Sequence, residues 1–206
     1  MTATASDGAV PPHNSPADQP TEFQDAMLVA QLRAGNVEAF RKLFFDVHAP
    51  LCAFVERIVG DDARAQELVQ DLFLELWQRR ESLSLSGSVR AYLYATARNR
   101  ALNVRRRDQV ERAWEDDESL DDVRALHEPP ARADQLLEQA ERHEALTSAM
   151  NGLPERCRTA MQLRWQEGLS YAEVAQVLGI GVKAVEKQLA RGIRLLRDAL
   201  GNPSNE

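Results

Sequence analysis

Four basic residues recur at intervals of three or four near the end of the chain, between Val182 and Leu200. In a helix this spacing places them on one face, while the apolar residues of the same segment recur on another. Lysine and arginine on an exposed helix face can bind DNA phosphates and the guanine edges of the major groove. The expected contacts with duplex DNA are Lys183, Glu186, Lys187, Arg191 and Arg194.

A short helix and a tight turn precede this segment and would position it. Ser170 and Glu173 have the spacing of a capping box, and Gly179 is suited to end the helix that they begin. Two short helices around such a turn predict a helix-turn-helix, whose second helix enters the major groove. The alternative interpretation is a solvated basic face on an ordinary bundle helix.

A second polar face is predicted in the first half of the chain. Residues 82–107 contain six arginines and no acid, and Ser88 is suited to cap a helix that ends at residues 105–107. Amides and hydroxyls can pair with base edges, arginines neutralise phosphates, and an aromatic ring can stack on an unpaired base. The candidate residues for single-stranded DNA are Tyr92, Thr96, Arg98, Asn99, Arg100, Asn103, Arg105 and Arg106. In the alternative, Tyr92 and Leu93 belong to the core and the arginines complement the helix dipole.

The net charge of −7 is concentrated in one segment. Residues 108–134 hold ten acids and three arginines, so the rest of the chain sums to zero. Local patches, rather than the average, govern encounter with DNA. The acidic segment, with Pro129-Pro130 and no sustained periodicity, is typical of a linker.

The whole chain is 44% hydrophobic, and its apolar residues recur at helical spacing. We therefore predict an all-α fold of two small helical domains joined by the acidic linker. The predicted boundaries are a disordered tail at 1–21, a helical bundle at 22–107, the linker at 108–134, a helix-turn-helix domain at 135–200 and a tail at 201–206. Trp165 is expected on the buried face of the helix that Pro154 begins.

Several function classes find no support in the residues. Nucleotide-binding, zinc-protease and serine-hydrolase motifs are absent, and the four histidines do not cluster at ligand spacing. We therefore expect no enzyme activity, no cofactor and no metal site. Two separated cysteines, the lack of a secretory signal and the lack of an apolar span predict a cytoplasmic protein without membrane insertion.

The stretch from Glu67 to Arg107 resembles the second conserved region of bacterial sigma factors, and the stretch from Leu153 to Arg197 resembles the fourth. Having only these two regions is similar to the extracytoplasmic-function (ECF) group of the sigma-70 family. The resemblance implies partners: the clamp of the RNA polymerase core, and promoter DNA in double- and single-stranded form. Relatives are often held by an anti-sigma factor.

The resemblance also implies three surfaces. Residues 183–194 would read the minus-thirty-five element, and the loop 82–87 with the helix 88–107 would hold the minus-ten element. The helix before them would dock on the polymerase through Gln70, Asp71, Phe73, Glu75, Trp77 and Gln78. The chain departs from many relatives at Gln66, where an acid is common, and at Gln188, where histidine is common.

We therefore predict a promoter-specificity factor that directs RNA polymerase and helps to open DNA. One alternative is a free-standing helix-turn-helix regulator, which would bind duplex DNA tightly without polymerase. The other is a protein-interaction adaptor that makes no DNA contacts.

Overall fold

The computed structural model of the protein describes residues 22–85, 87–115 and 145–201. Throughout these ranges the regular elements are helices, and they contain no strand. The predicted all-α fold is confirmed. Of the predicted tails at 1–21 and 201–206, all but Gly201 lie outside the described residues. Residues 116–144 also lie outside them, which include most of the acidic segment and the beginning of the predicted helix-turn-helix domain.

The N-terminal unit spans Pro20–Arg124, and its described residues form four α-helices. Its elements are α1 (Glu22–Arg33), α2 (Val37–Val59), α3 (Asp62–Gln78), a 3₁₀ turn (Arg80–Ser82) and α4 (Val89–Glu115). The Asn36 side chain caps α2 by accepting from the backbone N–H groups of Glu38 and Ala39, at 3.0 and 3.1 Å. Gly60, with φ of 79°, ends α2. Asp61 then accepts from the Arg64 N–H at 2.7 Å and begins α3.

The core of this unit lies where α2, α3 and α4 meet. Leu51, Val69 and Leu93 are almost fully buried there. The rings of Phe54 and Tyr94 pack edge to face with centroids 5.3 Å apart. These apolar contacts orient α4 so that its opposite side faces solvent.

The end of α4 differs from the prediction. A helix ending at residues 105–107 was expected, with the linker from 108, but α4 continues to Glu115. The Asp108 carboxylate, only 14% exposed, binds the Arg64 guanidinium of α3 at 2.7 Å. This ion pair holds the first residue of the predicted linker against the bundle, so the helix continues past the arginines.

The C-terminal unit has its own series of helices. In chain order these are α5 (residues 145–151), α6 (Glu155–Met161), a π-helical turn (Gln162–Gln166), α7 (Tyr171–Leu178) and α8 (Val182–Leu200). The predicted capping box is present: the Ser170 N–H donates to the Glu173 carboxylate at 2.8 Å, and the Glu173 N–H donates to the Ser170 hydroxyl at 3.2 Å. Gly179, with φ of 65°, ends α7 as expected.

Trp165 is not on the buried face where it was predicted, because it is 47% exposed. The Glu167 N–H bonds the Gln162 carbonyl five residues back, so this turn holds one residue more than an α-helical turn. The extra residue changes the helical phase. Leu163 becomes fully buried in this turn instead of Trp165.

Helices α6 and α8 approach closely at Gly192. A Cβ atom at this position would lie closer to the Met161 sulfur than real side chains come. The absence of a side chain therefore lets α8 settle on α6. In the described ranges no helix is both long and apolar enough to span a membrane.

Candidate nucleic-acid interfaces

The basic face of α8 is open to solvent. Lys183, Lys187, Arg191 and Arg194 are all exposed, while Glu186 is half-buried and interacts within the protein. On the opposite side Val185 and Leu189 are fully buried and fix the helix on its unit. The structure therefore brings together four cations on one rigid, accessible face, with Glu186 beside them.

Gln188 faces away from this surface. Its side-chain oxygen accepts a hydrogen bond from the buried thiol of Cys157 on α6, at 3.0 Å. The residue that departs from many relatives is therefore used to join α6 to α8.

The outer side of α4 carries a strip of polar residues. Asn99, Asn103 and Arg106 are exposed, and Tyr92 and Thr96 are half-buried at the beginning of the strip. Their spacing places them on the side of α4 that faces away from Leu93, Ala97 and Ala101. We call the five polar residues Tyr92, Thr96, Asn99, Asn103 and Arg106 the α4 strip. Arg107, which was not among the predicted residues, is also exposed and follows Asn103 by one helical turn. The run of arginines without acids in residues 82–107 is the sequence feature that could have identified it.

The remaining predicted arginines of α4 do not all share this side. Arg98 and Arg105 are half-buried and have interactions within the protein. Arg98 lies about 200° around the helix from Arg100. Arg100 lies at the edge of the α4 strip that adjoins α3, where it forms an ion pair with Glu75. Arg100 therefore flanks the strip, and its ion pair with Glu75 defines the direction of its side chain.

The loop before α4 is anchored at both ends. Leu83 is buried, and the Ser88 hydroxyl accepts from the Ala91 N–H at 3.3 Å and caps α4 as expected. Asp25 of α1 accepts from the Val89 N–H at 3.2 Å. These contacts fix the beginning of α4 beside the loop that was predicted to hold DNA.

The outer face of α3 contains most of the predicted docking residues. Gln70, Asp71 and Gln78 are exposed, and Trp77 is half-buried. Trp77 packs on Phe40 with ring centroids 4.8 Å apart, and the Arg80 guanidinium lies 4.6 Å from its ring centre.

Phe73 corrects the prediction for this face. It is 2% exposed, and its ring packs on Phe44 at 5.0 Å and Phe40 at 6.1 Å, so it belongs to the core. Its neighbour Leu74 is 55% exposed. Leu74 was not predicted, although its position midway between Gln70 and Gln78 at intervals of four is the signal that could have found it.

A cysteine and a histidine are in contact within α2. The Cys52 sulfur lies 3.8 Å from His48 Nε2. Burial raises the pKa of the Cys52 thiol, and the negative charges of Asp62 and Glu56 raise it further. A thiol that stays protonated is a poor nucleophile.

Two family models match the chain, one for each unit. Sigma-70 region 2 matches residues 43–111, which run from α2 to α4. Sigma-70 region 4 matches residues 143–196, which include the helix-turn-helix. Together they cover more than half of the chain.

Curated relatives extend the similarity beyond these two regions. The ECF RNA polymerase sigma factor SigK of Mycolicibacterium vanbaalenii is 28% identical over 177 residues, which are 84% of this chain and 88% of SigK. The RNA polymerase sigma-H factor of Pseudomonas aeruginosa is 29% identical, over 87% of this chain and 95% of the sigma-H chain.

Two solved structures share the fold. CnrH in complex with the cytosolic domain of CnrY has a TM-score of 0.58 and 24% identity, over 87% of this chain and 99% of CnrH. The sigma factor RpoE of Bartonella quintana, in complex with the anti-sigma factor NepR, has a TM-score of 0.59 and 21% identity. The match covers 80% of this chain and 98% of RpoE. With both regions in their order and relatives that match along most of their length, the chain belongs to the ECF group of the sigma-70 family of RNA polymerase sigma factors.

Proposed function

We propose that this sigma factor directs the RNA polymerase core to its promoters through two DNA contacts and helps to open the duplex. One observation carries the proposal. The chain presents a basic helix face suited to duplex DNA and, in its other unit, an amide-rich strip flanked by arginine that is suited to single strands.

The α8 face would contact the minus-thirty-five element. Arginine and lysine bind guanine edges in the major groove as well as phosphates. We assign this role to Lys183, Lys187, Arg191 and Arg194, with Glu186 next to them as a candidate acceptor for a cytosine amino group. Phosphate contacts would position the helix, and base contacts would specify the sequence.

The α4 strip would hold the opened minus-ten element. Asn99 and Asn103 can pair with exposed base edges, Tyr92 can stack on an unpaired base, and Arg106 can neutralise phosphate. A surface that prefers single strands shifts the opening equilibrium by its difference in affinity, so melting requires no nucleotide hydrolysis.

The outer face of α3 would dock on the polymerase clamp. We assign Gln70, Asp71, Leu74 and Gln78 to the contact, with Trp77 supporting them from beneath. An exposed leucine among hydrogen-bonding side chains is the composition of a small interface whose apolar centre has a polar rim.

Three further properties follow as proposals from this assignment. The two solved neighbours are described as complexes with CnrY and with the anti-sigma factor NepR, so we expect an anti-sigma partner for this chain. The protein would work in the cytoplasm, where the chromosome lies. It would act by binding alone, since sigma-70 proteins are regulatory factors and the polymerase carries the catalysis.

Run-off transcription with purified core polymerase on genomic promoter fragments tests the proposed function. New start sites that require this protein would support it, and the lack of any would contradict it. A free-standing regulator would instead bind duplex fragments tightly without polymerase. An adaptor without DNA contacts would keep its activity when Lys187 and Arg191 are replaced by alanine.

A further inference from the structure

Glu75 was expected to contact polymerase, yet its carboxylate is engaged inside the protein. One oxygen binds the Arg79 guanidinium at 2.8 Å, and the other binds Arg100 Nη2. The Glu75 side chain is 33% exposed and that of Arg100 is 30% exposed. Both carboxylate oxygens therefore have a cationic partner within the protein itself.

The partner on α4 connects this carboxylate to the proposed DNA surface. Arg100 lies one helical turn after Thr96 and three residues before Asn103, at the edge of the α4 strip. An arginine side chain on a free helix surface samples many rotamers, and an anchoring carboxylate restricts it to one direction. The ion pair thus sets where the guanidinium stands beside the strip.

Charge and donor geometry leave Arg100 able to bind a second anion. A guanidinium has five N–H donors in a rigid fork, and Glu75 is bonded to one of its terminal nitrogens. Glu75 is also shared between two arginines, so the three side chains together keep a net positive charge. A phosphate approaching the edge of the strip would meet a cation that is already oriented.

We propose that Glu75 is a positioning residue for promoter opening: it holds Arg100 beside the α4 strip so that the guanidinium binds a phosphate of the minus-ten strand. This inference rests on the proposed function and changes the role of Glu75 from polymerase docking to DNA binding through Arg100. The docking face then keeps Gln70, Asp71, Leu74 and Gln78 and loses Glu75.

The test uses the full chain with purified core polymerase and measures two quantities for each variant. One is affinity for the core. The other is binding of the holoenzyme to a promoter fragment whose minus-ten region is single-stranded, measured over a range of salt concentrations. The variants are Glu75→Gln, Arg100→Ala and the two combined. Glu81→Gln is the matched control, since it removes a carboxylate from a residue whose side chain is 83% exposed.

We expect Glu75→Gln and Arg100→Ala to leave core affinity unchanged and to weaken binding of the opened fragment severalfold. Arg100→Ala should lower the slope of log affinity against log salt by about one, as expected for a lost phosphate contact. The combined variant should be no weaker than Arg100→Ala alone, because Glu75 acts only through Arg100. Glu81→Gln should bind as the wild type does.

Three results would overturn the inference. Weaker core binding by Glu75→Gln would return this residue to the docking face. Additive losses in the combined variant would mean that the two residues act separately. Wild-type binding of the opened fragment by Glu75→Gln would mean that the ion pair has no part in DNA binding. A wild-type protein that fails to form a holoenzyme would contradict the proposed function itself and is recognised by its core affinity.

Discussion

Arg64 near the beginning of α3 and Asp108 near the end of α4 are joined by an ion pair of 2.7 Å, 44 residues apart in the chain. The Glu75–Arg100 pair lies further along the same two antiparallel helices. Two ion pairs therefore lie along one helix–helix contact, where they add to the apolar contacts that orient α4.

Replacing Asp108 by Asn should loosen the last two turns of α4. The Arg64 side chain is 47% exposed, so screening by solvent limits the loss in the free energy of unfolding to about 0.5 kcal/mol. Amide hydrogen exchange should become faster for residues 108–115 and stay unchanged in α2. Equal protection in the variant and the wild type would show that this ion pair does not hold the helix end.

Substitutions of the neighbouring residues Leu74 and Phe73 should affect different properties, one polymerase binding and the other the stability of the fold. Leu74→Ala removes an exposed apolar contact, so it should weaken core binding while the free energy of unfolding changes little. Phe73→Leu should lower the free energy of unfolding by about 1 kcal/mol, because its ring packs in the core. Its core affinity per folded molecule should equal that of the wild type. Core titration and denaturant unfolding of both variants measure the two effects, and the reverse pattern would contradict the assignment of the α3 face.

The α8 face should show which of its residues read bases. If Lys187 or Arg191 contacts a base, its replacement by alanine should weaken the free energy of binding to the preferred minus-thirty-five sequence by about 1–3 kcal/mol. A lost phosphate contact should instead weaken binding to all sequences and lower the salt slope by about one. Arg197→Ala, at the exposed end of α8, is the control for the loss of one positive charge.

Gln188→Ala should have a different effect from these substitutions. Because Gln188 accepts from the buried Cys157 thiol at 3.0 Å, the change should lower the free energy of unfolding of the C-terminal unit by about 1 kcal/mol. The preference among minus-thirty-five sequences should remain as in the wild type. A changed sequence preference, measured by selection from a randomised promoter library, would place Gln188 in the DNA interface.

Gly192→Ala should destabilise the contact between α6 and α8. The new methyl group would press on the Met161 sulfur, and overpacking of this kind costs about 1–3 kcal/mol. The higher helix propensity of alanine relative to glycine should offset about 1 kcal/mol of this loss in stability. Met161→Ala in the same chain would remove the clash, so the double variant should be more stable than the sum of the single changes indicates. Additive unfolding free energies would contradict the close approach.

The sequence by itself determined the all-α fold, several helix caps and the two polar faces. Capping and helical phase depend on residues within a few positions of one another, so the roles of Ser170, Glu173 and Gly179 follow directly from their spacing. The intervals between Lys183, Lys187 and Arg191 likewise specify a common face. Local geometry is sufficient for features of this kind.

Only the tertiary structure decided how these elements meet. The resemblance placed Phe73 among the docking residues although the packing of α2 and α3 buries it, and periodicity did not show that a π-helical turn leaves Trp165 at the surface. It could not pair Glu75 with Arg100 or Arg64 with Asp108. Which apolar residue is buried and which distant charge is a partner depend on how whole helices pack, and that packing is settled by contacts between residues far apart in the chain.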